Sequence, residues 1–330
     1  MILHIIKILW EQRKHFVGIL FEQLLLFIIL MLCIVSVIQK AEQYYSPGLV
    51  QTDNTVHFGY MFRQDCPSSQ LQYNDVKQQM RQVVHNLRQR PYVIAISASY
   101  GFLPYLRPSE FYGNDSVTID QHKIAVAFSG SDESGWQVLR PVLIEGEWIV
   151  DHTLSDGSYP IVITRQLADT MRWEQTVGRR IWRGPRPYTV VGMIEGMKVD
   201  PFDESIPAVV VSGELEMGDY GSMYGEYGAR LIPDMQEEFF KDYIQEFRKS
   251  VTLPNVEPSM GDLNKKKNDI TVKTTLGLVF RLIPTAFFLI FGFIGTFGLF
   301  WLYSRKRVEE FALRRAVGAT KNRLVGMVIT

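Results

Sequence analysis

The sequence predicts a membrane protein: two transmembrane α-helices flanking a mixed α+β extracytoplasmic domain. Three observations lead there. Phe16 to Ile38 and Leu282 to Tyr303 are long apolar runs, each of roughly the twenty residues a helix needs to cross a hydrocarbon layer. The residues between them switch between helical and strand periodicity, as a packed domain does. Basic residues flank the outer ends of both runs, Lys7, Arg13 and Lys14 before the first and Arg305, Lys306 and Arg307 after the second. Positive charge marks the cytoplasmic side of a span, so both ends of the chain are expected inside. The expected domains are 1–40 (amphipathic start and first transmembrane helix), 41–275 (extracytoplasmic domain), 276–304 (second transmembrane helix) and 305–330 (cytoplasmic segment).

Composition narrows the class further. A formal net charge of zero offers no basic surface for nucleic acid. Of the two cysteines, Cys33 falls in the first span and Cys66 in the domain, too far apart for a disulfide. His57, His85, His122 and His152 are scattered without zinc spacing, and each reads as a surface or satisfied core residue.

The elements follow in order. Ile2, Ile5, Ile6, Leu9 and Trp10 recur at helical spacing opposite His4, Lys7, Glu11 and Lys14, the pattern of a helix lying along a membrane surface. The first span is too long for a signal-peptide core and lacks a small-residue cleavage site, so it reads as an uncleaved anchor. Glu22, near its start, is expected to snorkel or to face a partner helix.

Within the domain, Gln70 to Gln89 places Val76, Met80, Val83, Val84 and Leu87 on one helical face, and Pro91 stops it. Tyr92 to Ser99, Val117 to Ile119 and Lys123 to Phe128 are strand candidates. Pro160 to Ile163 is a short strand, after which Thr164 is placed to cap a helix reaching Trp173. Arg179 to Trp182 and Tyr188 to Ile194 form a strand pair around a Gly184-Pro185 turn, and Ile206 to Val211 adds another strand. Asp234, three residues before Glu237, has capping spacing. Met235, Phe239, Phe240, Tyr243, Ile244, Phe247 and Val251 then form one stripe of core-facing residues. Residues 254–268, with Lys265 to Lys267, read as a solvated linker. In the second span, Gly292, Gly295, Thr296 and Gly298 leave one side thin enough for close helix approach.

No catalytic constellation appears. The phosphate-loop, G-x-S-x-G and H-E-x-x-H patterns are absent, and the polar run Gly130 to Gly135 reads as a surface turn. The one ordered motif is terminal. Glu310 and Arg314 are spaced i, i+4 with the acid first, Gly318 is suited to ending that helix, and Thr320 to capping another.

Glu310-Phe311-Ala312-Leu313-Arg314-Arg315-Ala316-Val317-Gly318-Ala319-Thr320 resembles the signature after the second transmembrane helix of FtsX-like, MacB-type ABC transporter permeases. Phe311 and Ala312 depart from the usual Ile and Gly. Leu143 to Trp148, Pro160 to Ile163, Val177-Gly178-Arg179 and Tyr188 to Gly192 resemble that family's periplasmic core domain. The resemblance implies a permease subunit of the bacterial inner membrane, multi-pass, working in efflux or export. It binds no cofactor itself; ATP belongs to a separate ABC ATPase subunit. Glu310, Arg314, Arg315, Ala316, Gly318, Ala319 and Thr320 would form the ATPase-coupling segment. The implied partners are that ATPase, a second permease as homodimer or heterodimer, the lipid bilayer and a periplasmic adaptor. Family permeases carry four spans, whereas Thr330 falls where a third would begin, so either the sequence is a fragment of a four-span permease or the remainder is supplied elsewhere. A two-span sensor with an extracytoplasmic ligand-binding domain is the alternative; it predicts a cytoplasmic signalling output, which the residues after the second span do not resemble.

Overall fold

The computed structural model describes residues 13–63, 73–106, 115–119, 122–213, 226–306, 312–313 and 316–317. The amphipathic start before residue 13 and Cys66 lie outside the described residues. The chain divides into two compact units, residues 1–39 with 275–330, and residues 40–274.

The first unit contains two antiparallel helices. Helix α1 spans Arg13–Tyr45, and the chain's last long helix, described below as α6, spans Leu263–Lys306. Both have stretches long and apolar enough to cross a membrane, Phe21–Tyr45 and Leu263–Gly298. Large side chains such as Phe27, Leu32, Phe280, Phe293 and Ile294 stand exposed along them. In water that surface would be an aggregation liability; hydrocarbon is its natural solvent.

The second unit begins with β1 (Thr55–Phe62), α2 (Tyr73–Arg88) and β2 (Val93–Tyr100) and ends with β10 (Glu226–Leu231), α5 (Gln236–Ser250) and β11 (Val256–Asp262). These strands form an antiparallel sheet in the order β11-β1-β10-β2, two interlocked β-α-β units of the split type. Both helices cover one face of it. Val76, Met80, Val83 and Leu87 of α2 meet Phe239, Tyr243 and Phe247 of α5 over Val56 and Phe58. The Phe58 ring lies 5.0–5.3 Å from those of Tyr227, Phe239 and Tyr243, so the stripe read from the sequence is core.

Between β2 and β10 the chain inserts a second lobe: β3 (Asp115–Ile119), β4 (His122–Ser131), α3 (Gly135–Leu139), β5 (Leu143–Gly146), β6 (Tyr159–Thr164), α4 (Arg165–Thr170), β7 (Arg180–Arg183), β8 (Arg186–Ile194) and β9 (Ala208–Ser212). The pairing runs β4-β3-β7-β8-β6-β9 and returns from β9 to β4, closing a six-stranded ring. Val117, Ile161, Ile163, Ile181, Tyr188, Val190 and Val209 fill it. A third cluster, including Phe102, Leu103, Val138, Ile194, Val210 and Leu263, joins the ring to the sheet.

Four expectations are corrected. Residues 254–268 are not a linker: they form β11, paired to β1 from Val56↔Asp262 to Phe62↔Val256, and the first turns of α6. Pro258 is tolerated because β11 is an edge strand, which needs ladder bonds on one side only. Gly130 to Gly135 is not a surface turn. Ser131 is fully buried and Asp132 nearly so, because the Asp132 carboxylate accepts the N–H groups of Ala98 (2.9 Å) and Ser134 (3.0 Å). Burial raises the Asp132 pKa, while the hydrogen bonds from Ala98 and Ser97 and the charge of Arg88 oppose the rise. Asp234 does not cap α5; Met235 holds that position and Asp234 turns the chain at φ +65°. Thr164 does precede α4, but its hydroxyl serves the ring instead, donating to Ile206 O at 3.0 Å and accepting from Ala208 N at 2.8 Å. Helix α4 ends at Thr170, short of the Trp173 expected from the sequence.

Candidate functional site: the roots of the membrane helices

The predicted coupling segment falls almost wholly outside the described residues. Glu310, Arg314, Arg315, Gly318, Ala319 and Thr320 lie there; Ala316 alone is described, helical and exposed. Two sets of described polar contacts bear on the membrane helices, one where each helix joins the domain and one between the helices themselves.

The root of α1 is held by two lysines. Lys40 Nζ donates to Phe202 O at 3.0 Å, and Lys198 Nζ donates to Gln43 O. Gln43 O is one of the last-turn carbonyls that a helix cannot satisfy internally, and the helix dipole favours a cation there. Lys198 is 2 % exposed; burial lowers its pKa and Asp203 partly restores it. Tyr44 packs on Phe202 with ring centroids 5.2 Å apart. Just beyond, Gly48 adopts φ +112°, and a Cβ there would lie 2.9 Å from Ser205 Oγ. Only glycine combines that backbone angle with so close an approach.

The segment from α1 to β1 is clamped by Arg230. Its guanidinium donates to three backbone carbonyls: Val138 O (2.8 Å), Asp53 O (3.0 Å) and Gln51 O (2.7 Å). Burial and Arg140 lower the Arg230 pKa, against a smaller opposing effect of Asp53. Gln51 N also donates to Leu139 O at 3.0 Å. Thr52, 2 % exposed, donates to Asn264 Oδ1 at 3.3 Å and so joins this segment to the first turn of α6.

The root of α6 begins at the last residue of β11. Asp262 Oδ1 accepts Lys265 N at 2.9 Å, an N-terminal cap, and Leu263 is completely buried. Because Val56 pairs with Asp262, the two membrane helices join the domain at adjoining ends of neighbouring strands. His57 lies beside this junction, paired across the sheet with Gly228 and Gly261. It is buried, and its Nε2 has no hydrogen-bond partner among the described residues. Burial, with Lys266 adding to it, depresses its pKa to about 4; buried with Nε2 unpartnered, it is neither the surface residue nor the satisfied core residue that the sequence suggested.

In the membrane unit, α1 and α6 meet through small and polar residues. Gln23 Nε2 donates to Thr296 Oγ1 at 2.5 Å, and that hydroxyl donates to Gly292 O at 2.8 Å. Gly292 packs so closely that a Cβ would fall 2.2 Å from Leu26 Cδ1, whereas one at Gly295 or Gly298 would meet nothing within 4 Å. Cys33 Sγ lies 3.2 Å from Thr285 Oγ1. Of the small residues singled out from the sequence, Gly292 and Thr296 face α1.

Among the described residues no three His, Cys, Asp or Glu side chains converge on a metal-sized point. Fixed polar contacts within the domain unit tie down the segments where the two helices begin: Lys198 to Gln43, Arg230 to Gln51 and Asp53, and Thr52 to Asn264. The sequence reading missed Lys198, Arg230, Thr52 and Gln23. The available signal was isolation, since Lys198 sits between Met197 and Val199, and Arg230 between Ala229 and Leu231. A lone polar group in apolar company is retained when something nonlocal satisfies it.

Residues 25–251 match the family model of the MacB-like periplasmic core domain. No curated protein matches the chain. Among solved structures, similarity extends to the extracellular domain of the noncanonic ABC-type transporter YknZ from Gram-positive bacteria, at 14% identity and TM-score 0.44, covering 62% of this chain and 100% of that one. The periplasmic region of MacB from Actinobacillus actinomycetemcomitans is 12% identical with TM-score 0.45, covering 68% of this chain and 94% of that one. A domain of a putative permease protein from Porphyromonas gingivalis is 13% identical with TM-score 0.42, covering 64% and 91% respectively. At such scores these structures stand beside the family match without adding to it.

Proposed function

The chain belongs to the MacB-like periplasmic core domain family and is a membrane subunit of an ABC transporter; from that premise we propose that it couples ATP hydrolysis on a separate ATPase subunit to movement of its own periplasmic domain, for efflux or export. The subunit itself is non-catalytic and sits in the bacterial inner membrane with both described ends of the chain cytoplasmic. Glu310, Arg314, Arg315, Ala316, Gly318, Ala319 and Thr320 dock on the ATPase, and α6 carries the displacement outward. Coupling of this kind needs a physical element that both sites bias.

One observation supports the reading above the others. Both membrane helices join adjoining ends of β1 and β11, with Thr52 bonded to Asn264 across the junction. Strain arriving along α6 thus meets a strand edge rather than a slack tether.

Three experiments test it. Co-purification of the ATPase from native membranes is expected to fail with Arg314→Glu and Arg315→Glu combined; unchanged recovery sinks the docking assignment. Lys198→Met leaves docking intact but releases the α1 root, so ATPase recovery should persist while transport falls. Labelling of cysteines placed at Ser250 and Ser304, with Cys33 and Cys66 replaced, is expected on opposite sides of the membrane.

A further inference from the structure

We propose that the groove between α1 and α6 at the domain-side end of the membrane unit holds one anionic phospholipid, its acyl chain along the groove and its phosphate on Arg281. This rests on the two helices lying in a bilayer, not on the coupling role. The groove encloses about 210 Å³. That is below the roughly 300–1,000 Å³ of a small-molecule pocket; the half-open groove receives only part of one acyl chain, the rest lying in the surrounding hydrocarbon. Leu32 and Val37 of α1 and Leu278 and Leu282 of α6 form apolar walls, with Ser36 and Arg281 as the polar groups. Cys33 also lines the groove, and its contact with Thr285 marks the end deeper in the span.

Arg281 supplies the selectivity. It follows Phe280 and precedes the apolar run, where a charge is costly unless it snorkels or is paired. No carboxylate among the described residues forms an ion pair with it: the described pairs lie at Arg63, Arg88, Arg90, Arg180 and Arg183. Its backbone carbonyl is occupied, accepting from Thr285 Oγ1 at 2.9 Å, while the guanidinium is exposed at the groove. A guanidinium fork matches phosphate oxygens bidentately, and at a membrane boundary the abundant phosphate is a lipid headgroup. A zwitterionic headgroup brings its own ammonium, which offsets the attraction; a glycerol headgroup does not.

The test uses the whole chain, delipidated in detergent and examined by native mass spectrometry with phosphatidylglycerol or phosphatidylcholine of identical chains. Wild type is expected to retain one phosphatidylglycerol, at about fivefold higher affinity than phosphatidylcholine, the preference one basic residue confers. Arg281→Gln should erase the preference, and Leu278→Trp should displace either lipid by filling the groove. Water-soluble glycerophosphoglycerol should not compete. Equal retention by wild type and Arg281→Gln, or displacement by the soluble headgroup alone, overturns the proposal. So does efficient cross-linking of Ser36→Cys to a second copy in native membranes. Release of the chain from vesicles by alkaline carbonate would instead sink the membrane reading, which separates the two failures.

Discussion

Acid should loosen the junction of the two membrane helices through His57. The residue is buried with Nε2 unpartnered among the described residues, and its pKa falls from the ordinary 6.5 to about 4. The folded state therefore keeps the imidazole neutral, while the unfolded chain takes up a proton from pH 6.5 downward. Between those two values the unfolded state binds more protons, so stability falls as pH falls. Below about pH 4 both states are protonated and the loss levels off. At about 1.36 kcal/mol per pH unit the full loss is roughly 3 kcal/mol, about 2.5 of it by pH 4.5. That is a large share of the roughly 5–15 kcal/mol that holds a domain folded.

The assay is urea unfolding of the intact protein in detergent from pH 7.5 to 4.5, wild type beside His57→Leu. Asp132 and Asp203, whose pKa values burial raises, act in the opposite direction. They are common to both proteins and drop out of the difference. The wild-type curve should fall by about 2.5 kcal/mol relative to the variant across that range. Hydrogen exchange should report the opening first along the β1–β11 ladder, at Val56 to Gly59 and Met260 to Asp262. Parallel curves for the two proteins would refute the reasoning, since they would mean His57 titrates as if solvated.

Two further outcomes follow from close contacts. Gly292→Leu should separate α1 from α6, because even a Cβ there meets Leu26; cross-linking of cysteines placed at Gln23 and Thr296 should be lost. Gly295→Leu and Gly298→Leu, where space is open, should leave that cross-link intact. Arg230→Met should destabilise the domain by about 3 kcal/mol, since it strands three carbonyls that the guanidinium satisfies. Arg230→Lys, with a single ammonium in place of the fork, should recover only part of that loss, as read from unfolding midpoints.

The sequence by itself determined what local periodicity encodes. The two spans, the α2 stripe from Val76 to Leu87, the α5 stripe from Phe239 to Phe247 and most ring strands were legible, because a 3.6-residue or two-residue repeat is written within one segment. What only the tertiary structure decided is what depends on partners far along the chain. Residues 256–262 became a strand because β1 offers them an edge, and no composition of their own announces it. Asp132 went inside because Ala98 and Ser134 had donors to satisfy. Gln43 and Lys198, Thr52 and Asn264, and Gln23 and Thr296 meet across 155, 212 and 273 residues. Pairings at such separations are set by the three-dimensional course of the backbone, and a buried polar group settles wherever that course brings it a partner.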